Sequence, residues 1–179
     1  MEKKPGEMID ALRQAYLEEL HNISFDTRYL SVCSTFTNRG KPPYYFTPER
    51  DRAKELIKKF GYSAKFVKDG LGFFKVDNWR GKGTVDIYCL IELDVGVCRF
   101  SCGSKYGEQP VGFGFADEYR NLPGEKRKRE YLRSIGERYD YIFPNFSNEQ
   151  EIEGILKELF PMYKEFKAAL IPRYEALGF

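Results

Sequence analysis

An alternation of apolar and polar side chains dominates the centre of the chain, from Thr84 to Ser104. Apolar residues or cysteines occupy every second position on both sides of a short loop at residues 94–96. A period of two is typical of half-buried β-strands. We therefore predict that these residues form two antiparallel strands, and that this hairpin lies at the centre of a sheet.

The pairing of these two strands decides which side chains face outward. A three-residue loop would place Leu93 opposite Val97 and bring Arg99 onto the apolar face, whereas a slip by one residue keeps that face apolar. We predict the second arrangement, with Ile91 opposite Cys98, Cys89 opposite Phe100, and Ile87 opposite Cys102, so that no two cysteines are directly opposed. The predicted outward face carries Asp86, Tyr88, Leu90, Glu92, Arg99 and Ser101.

Helical spacing predicts further elements on both sides of this hairpin. Residues 8–20 form one amphipathic pattern. A second helix is predicted from an N-cap at Thr47 to Gly61, and a long C-terminal helix from a capping box at Ser147. The apolar stripe of the last helix continues through Pro161, where a kink or a restart is expected. A charged helix is predicted at residues 125–138.

Shorter β-like segments are found at residues 28–36, 63–68, 71–79 and 111–115, and residues 139–143 form an edge strand or a link. Strands that follow one another with short connections form antiparallel meanders. We predict one α+β domain over residues 1–179. It has a single twisted antiparallel sheet of five or six strands, helices packed on one face, and a long C-terminal helix kinked near Pro161.

Composition and charge narrow the range of functions. The 179 residues carry a net charge of +2, which does not require a nucleic-acid or anionic-lipid partner. No apolar stretch has the length of a signal peptide or of a membrane span, so we expect a cytoplasmic protein that does not contact a membrane. The four cysteines fall at positions typical of small buried hydrophobic residues, not of a disulfide framework.

The residues with reactive or metal-binding side chains do not form a recognisable catalytic or cofactor site. His21 is the only histidine, and its place after the first helix suits capping or exposure. Cys98 and Cys102 lack the spacing of a structural zinc site, and Gly112-Phe113-Gly114 lacks the other residues of a phosphate loop. We therefore predict no catalytic residue, no metal and no cofactor.

Two alternative functions remain open. The segment at residues 126–133 is rich in lysine and arginine, which is the pattern of a nucleic-acid-binding module, but glutamates share it. The second alternative is an unrecognised carboxylate-dependent enzyme. Asp86 and Glu92 share a strand face, but they stand about 20 Å apart, too far for joint acid–base work.

Without an enzyme constellation, we predict that the chain binds another protein. The meander that contains Trp79 and Thr84-Val85-Asp86-Ile87-Tyr88, the tyrosine-rich composition and the long C-terminal helix resemble immunity proteins of bacterial polymorphic toxin systems. This resemblance implies a non-enzymatic antitoxin that inhibits a cognate protein toxin, either by plugging its active site or by blocking its substrate.

The outward face of the central hairpin is the predicted binding surface. An aromatic and an aliphatic centre with a charged rim has the anatomy of an interface hot spot. The alternative is that another helix covers this face. The candidate partner-binding residues are Trp79, Asp86, Tyr88, Leu90, Glu92, Arg99, Lys105 and Tyr106.

Overall fold

A computed structural model of the chain describes residues 5–36, 46–70, 72–114, 118 and 143–179. These residues form an α+β fold with one antiparallel sheet and a long C-terminal helix, which confirms the predicted fold class. The four described helices are α1 (Pro5–Asn22), α2 (Phe25–Thr35), α3 (Arg50–Lys58) and α4 (Glu149–Ala176). The five described strands are β1 (Lys65–Val67), β2 (Phe73–Arg80), β3 (Val85–Asp94), β4 (Val97–Tyr106) and β5 (Gln109–Gly112).

The strands lie in the sheet in chain order, β1-β2-β3-β4-β5, and each pairs antiparallel with its neighbour. This meander is the predicted topology. The longest pairing joins β3 and β4, which are the two halves of the central hairpin. Both are nearly continuous rows of alternating buried and half-buried residues, so the period of two in the sequence correctly located the centre of the sheet.

The predicted register of the central hairpin is wrong by two residues. Val95 and Gly96 form a two-residue turn with φ values of 43° and 74°, and Asp94 pairs with Val97. Positive φ at both central residues is typical of a two-residue turn whose twist matches that of the strands. This turn forms in place of the longer loop that we predicted. Because a shift of two residues preserves the alternation of side chains, the predicted faces are nevertheless correct.

The true register places Ile91 opposite Phe100 and Cys89 opposite Cys102, so the prediction that no two cysteines are opposed is also wrong. Both thiols are free and fully buried.

The helices pack on the face of the sheet that carries Phe100 and Cys102. The ring of Phe100 contacts Phe160 and Tyr163 of α4, with centroid separations of 5.4 Å and 6.2 Å. Tyr16 of α1 donates its hydroxyl hydrogen bond to the carbonyl oxygen of Cys102 at 2.8 Å. Helix α4 is thus the central element of the helical layer, and α1, α2 and α3 all contact it.

The segment predicted as a strand at residues 28–36 belongs to helix α2. Tyr29 and Val32 favour strands in isolation, which suggested the wrong assignment. Phe25, Tyr29, Val32 and Cys33 are nevertheless buried at the spacing of one helix face, and this tertiary packing determines the structure. The sheet therefore has five described strands, the lower of the two predicted numbers.

Two predicted helix caps are displaced. Glu49, not Thr47, precedes α3, and the Thr47 hydroxyl instead donates to the Asp94 carboxylate at 2.8 Å and accepts from the Val95 amide. At the start of α4, the N-cap is Asn148, one residue after the predicted Ser147. Its side chain accepts from the amide of Glu151, and the Glu151 carboxylate accepts from the amide of Ser147, so the reciprocal bond of a capping box goes here to the residue before the N-cap.

Helix α4 continues through Pro161 and Pro172 without a restart. Pro161 lacks an amide hydrogen and cannot bond the carbonyl of residue 157, and its neighbours Phe160, Met162 and Tyr163 are buried against the rest of the fold. Strand β5 covers only the first part of the predicted 111–115 segment. The predicted helix at 125–138, the basic segment at 126–133, and most of the predicted 139–143 segment lie outside the described residues.

Candidate partner-binding face

The face of the sheet that points away from the four described helices is called the outer face here. Its side chains are identified from the strand register, because residues directly opposite each other share a face. Lys75 pairs with Leu90, Asn78 with Tyr88, and Arg80 with Asp86. Strand β4 continues these rows, and the outer-face positions of the five strands are Lys65, Val67, Phe73, Lys75, Asn78, Arg80, Asp86, Tyr88, Leu90, Glu92, Asp94, Val97, Arg99, Ser101, Gly103, Lys105 and Pro110.

An ion-pair cluster occupies one end of the outer face. The Asp86 carboxylate accepts a hydrogen bond from Arg80 Nε at 2.8 Å, and Lys105 Nζ lies 3.8 Å from its other oxygen. The side chain of Asp86 is only 5% exposed, whereas that of Arg80 is 70% exposed. The hydrogen bonds from Arg80 lower the pKa of Asp86, so this carboxylate is fixed as an anion beneath a solvent-exposed guanidinium.

A second ion pair lies toward the β3–β4 turn. Arg99 donates to the Glu92 carboxylate at 2.8 Å, and both side chains are about one-third exposed. The guanidinium of Arg99 also lies 5.4 Å from the centre of the Phe143 ring, within cation–π range. The two ion pairs thus occupy opposite ends of the outer face.

Tyr88 and Leu90 lie between these two ion pairs and are half-buried. A Cβ atom at Gly103, directly opposite Tyr88, would come within 2.3 Å of the Tyr88 hydroxyl oxygen. The absence of a side chain at Gly103 therefore allows the tyrosine to lie over strand β4. Glycine in a strand often serves such a close approach.

Trp79 and Tyr106, two of the predicted partner-binding residues, lie on the helical face and not on the outer face. A β-bulge between Lys75 and Asp77 inserts one extra residue into β2 and reverses the orientation of the later residues in that strand, so Trp79 pairs with the buried Ile87. Tyr106 pairs with Val85, and its ring contacts Phe179 at 5.5 Å. The other six predicted residues, Asp86, Tyr88, Leu90, Glu92, Arg99 and Lys105, share the outer face.

The register adds residues that sequence reasoning missed. Lys65 and Lys75 are exposed and directly opposite each other, although opposed like charges destabilise a sheet. Val67 and Phe73 form the neighbouring pair and are half-buried. Only the pairing of β1 with β2 reveals these positions. Counting all paired strand positions, the outer face carries five basic and three acidic side chains: Lys65, Lys75, Arg80, Arg99 and Lys105 against Asp86, Glu92 and Asp94.

The described residues offer no obvious reactive group. All four cysteines are buried, and burial raises the pKa of each thiol, to about 12 for Cys33. No group of three or more candidate ligands for a metal ion occurs among the residues that the structure describes. His21 is exposed in the last turn of α1.

Within the part of the chain that the structure describes, none of the helices combines the length and apolar composition that a membrane crossing needs.

Comparison with known proteins identifies no relative of this chain. No protein-family model, no curated protein and no solved structure matches the chain.

Proposed function

We propose that this protein is a non-enzymatic binding protein whose outer face docks a partner protein. The observation that carries the proposal is the arrangement of that face, where Tyr88 and Leu90 lie between the Arg80–Asp86–Lys105 cluster and the Glu92–Arg99 pair. An apolar centre with a charged rim is the usual anatomy of a protein interface. Tyrosine and arginine are also among the residues that contribute most to interface hot spots.

The charges of the outer face favour a partner with an acidic surface. The carboxylates of both ion pairs already have cationic partners, Asp86 in Arg80 and Glu92 in Arg99. The Lys65–Lys75 pair adds positive charge at positions where the two ammonium groups repel each other in the unbound protein. Acidic side chains placed over this pair would relieve the repulsion. Complementary charge of this kind also accelerates association and fixes orientation.

We further propose that the protein is a cytoplasmic immunity protein, and that the partner is a toxin which it neutralises by direct binding. Support comes from the resemblance of its organisation to such proteins, and from the absence of a reactive constellation among the described residues. An inhibitor needs only a rigid and complementary surface. The five-stranded sheet, backed by the packed core of α1, α3 and α4, provides such rigidity.

A growth-protection assay tests this proposal. The product of the gene adjacent to this one in its source genome is expressed from an inducible promoter, with and without this protein. We predict that expression of the neighbour alone stops growth and that co-expression of the wild-type protein restores it. A Leu90→Asp variant that remains folded should protect poorly, because it places a charge at the apolar centre. Equal protection by Leu90→Asp and wild type would contradict the proposed surface, and a harmless neighbour would contradict the toxin assignment.

A further inference from the structure

A cleft on the other side of the sheet has the features of a small-molecule site. It lies between the α3–β1 connection, the β-bulge of β2 and the last turns of α4, and its volume is about 560 Å³. Ligand sites commonly have volumes of about 300–1,000 Å³ and combine apolar walls with a few convergent polar groups. The residues that matter for its chemistry are Tyr62, Ser63, Asp77, Lys164, Lys167 and Ile171.

The bulge in β2 determines the polar floor of this cleft. The extra residue turns Asp77 toward the helices, where its carboxylate accepts hydrogen bonds from the Tyr163 hydroxyl at 2.9 Å and from Lys167 Nζ at 2.5 Å. The side chains of Asp77 and Lys167 are each less than one-quarter exposed. Bulges that re-aim a side chain often occur beside functional sites. The Asp77–Lys167 pair is therefore held rigidly at the base of the cleft.

The remaining polar side chains of the cleft can all donate hydrogen bonds. Lys164 lies one turn before Lys167 on α4, is exposed, and forms no ion pair with any described residue. Tyr62 stacks on Phe160 with ring centres 4.6 Å apart, which orients its hydroxyl. Burial raises the pKa of Tyr62 and of Tyr163, so both phenols keep their protons at neutral pH. With Asp77 balanced by Lys167, the second lysine leaves the cleft with an excess of one positive charge.

Apolar side chains complete the lining of the cleft. Val76, Ala168 and Ile171 line the cleft beside the ring of Tyr62. Lys164, Ala168 and Ile171 follow one stripe of α4 at spacings of four and three residues, so the cationic and apolar groups lie side by side, and this combination matches an anion with an apolar body. We propose that this cleft binds a small carboxylate that carries an aromatic or aliphatic group. The carboxylate pairs with Lys164, and its apolar part packs against Ile171 and Val76.

Titration with 3-phenylpropionate, followed by amide chemical shifts, tests the proposal on the full chain. The matched neutral probe is 3-phenylpropionamide, which has the same shape without the charge. We expect the acid to bind at least about tenfold more tightly than the amide, since a charge-assisted hydrogen bond contributes about that factor. The shift changes should centre on Tyr62, Ala168 and Ile171. Equal binding of acid and amide, or no binding of the acid, would overturn the proposal.

Three variants test whether Lys164 provides the positive charge that pairs with the bound carboxylate. Lys164→Gln should weaken binding of the acid about tenfold, whereas Lys157→Gln, at another exposed position of α4, should leave it unchanged. Asp77→Asn should tighten binding of the acid, because Lys167 then lacks its anionic partner. Weakening by both lysine variants alike, or weakening by Asp77→Asn in a protein of unchanged fold, would show that the carboxylate does not bind here.

Discussion

The two faces of one sheet have opposite chemical character although they are built from alternate residues of the same strands. On the helical face, Ile87, Cys89, Ile91 and Phe100 are almost completely buried. On the outer face, their sequence neighbours Tyr88, Leu90 and Arg99 are half-buried and lie among ion pairs. A strand exposes successive side chains to opposite sides, so one segment can serve stability and recognition independently. We infer that substitutions on the two faces will separate these two properties.

The two most buried carboxylates of the described ion pairs, Glu118 and Asp86, also differ in how far their cationic partners are exposed. Glu118 is fully buried, receives hydrogen bonds from Arg13 at 2.6 Å and 2.8 Å, and accepts from the amide of Phe113. This pair ties α1 to the residues after β5. Asp86 is almost as buried, but its partner Arg80 extends into solvent. The guanidinium of Arg13 is 28% exposed, against 70% for that of Arg80, so the first pair mainly joins elements of the fold while the second presents a cation at the surface.

The largest expected effect is a loss of stability on the helical face. Phe100→Ala should lower the free energy of unfolding by about 4 kcal/mol, because it opens a cavity against Phe160 and Tyr163. Leu90→Ala, on the outer face, should lower it by only about 1 kcal/mol, because this side chain is half-buried. Urea denaturation measures both values. Equal losses would mean that the outer face is also core. If Phe100→Ala does not fold, Phe100→Leu provides the milder comparison.

The next largest effect concerns the Arg13–Glu118 pair. Arg13→Met should cost about 3 kcal/mol, because it leaves the fully buried Glu118 carboxylate without its cation. The double variant Arg13→Met with Glu118→Leu should recover most of that loss, since it removes the stranded charge as well. Denaturation of the two proteins at neutral pH compares them. A double variant that is no more stable than the single one would contradict this account of a stranded charge.

The smallest of the three effects is the pH dependence from Asp86. Its pKa is lowered in the folded protein, so its contribution to stability is present above the unfolded value of about 4 and is lost as the pH falls through the folded value. The stability difference between wild type and Asp86→Asn should therefore shrink as acid is added from neutral pH. Because Arg80 is exposed to water, the change should be modest. A difference that grows on acidification would contradict the assigned pKa shift.

The sequence alone predicted the faces of the central hairpin because an unbroken alternation from Val85 to Asp94 constrains them. It also predicted α1 and α4 from apolar residues at helical spacing. It failed at α2, where Tyr29 and Val32 suggested a strand while their burial follows a helix. The strand preference of individual residues is weak compared with the tertiary packing of a helix face. The local sequence does not show which of the two determines the structure.

The errors in the candidate site have a different origin. Trp79 was included among the predicted binding residues, and nothing in the sequence shows the β-bulge near Val76 that turns it toward the helices. The lysine pair at positions 65 and 75 was missed for a related reason, since opposed residues are known only when the register is known. Positive φ at Val95, a β-branched residue, was likewise not expected, and it shifted the hairpin register by two.

The central claim is that the outer face binds a partner protein, and a direct affinity measurement with the purified neighbour-encoded partner tests it most directly. Tyr88→Ala and Leu90→Asp are compared with wild type and with Lys157→Asp, an exposed substitution on α4 at the opposite side of the molecule. We predict that both outer-face variants stay folded and lose about 2 kcal/mol of binding free energy, roughly thirtyfold in affinity, while Lys157→Asp binds like wild type. Wild-type affinity in both outer-face variants would contradict the claim.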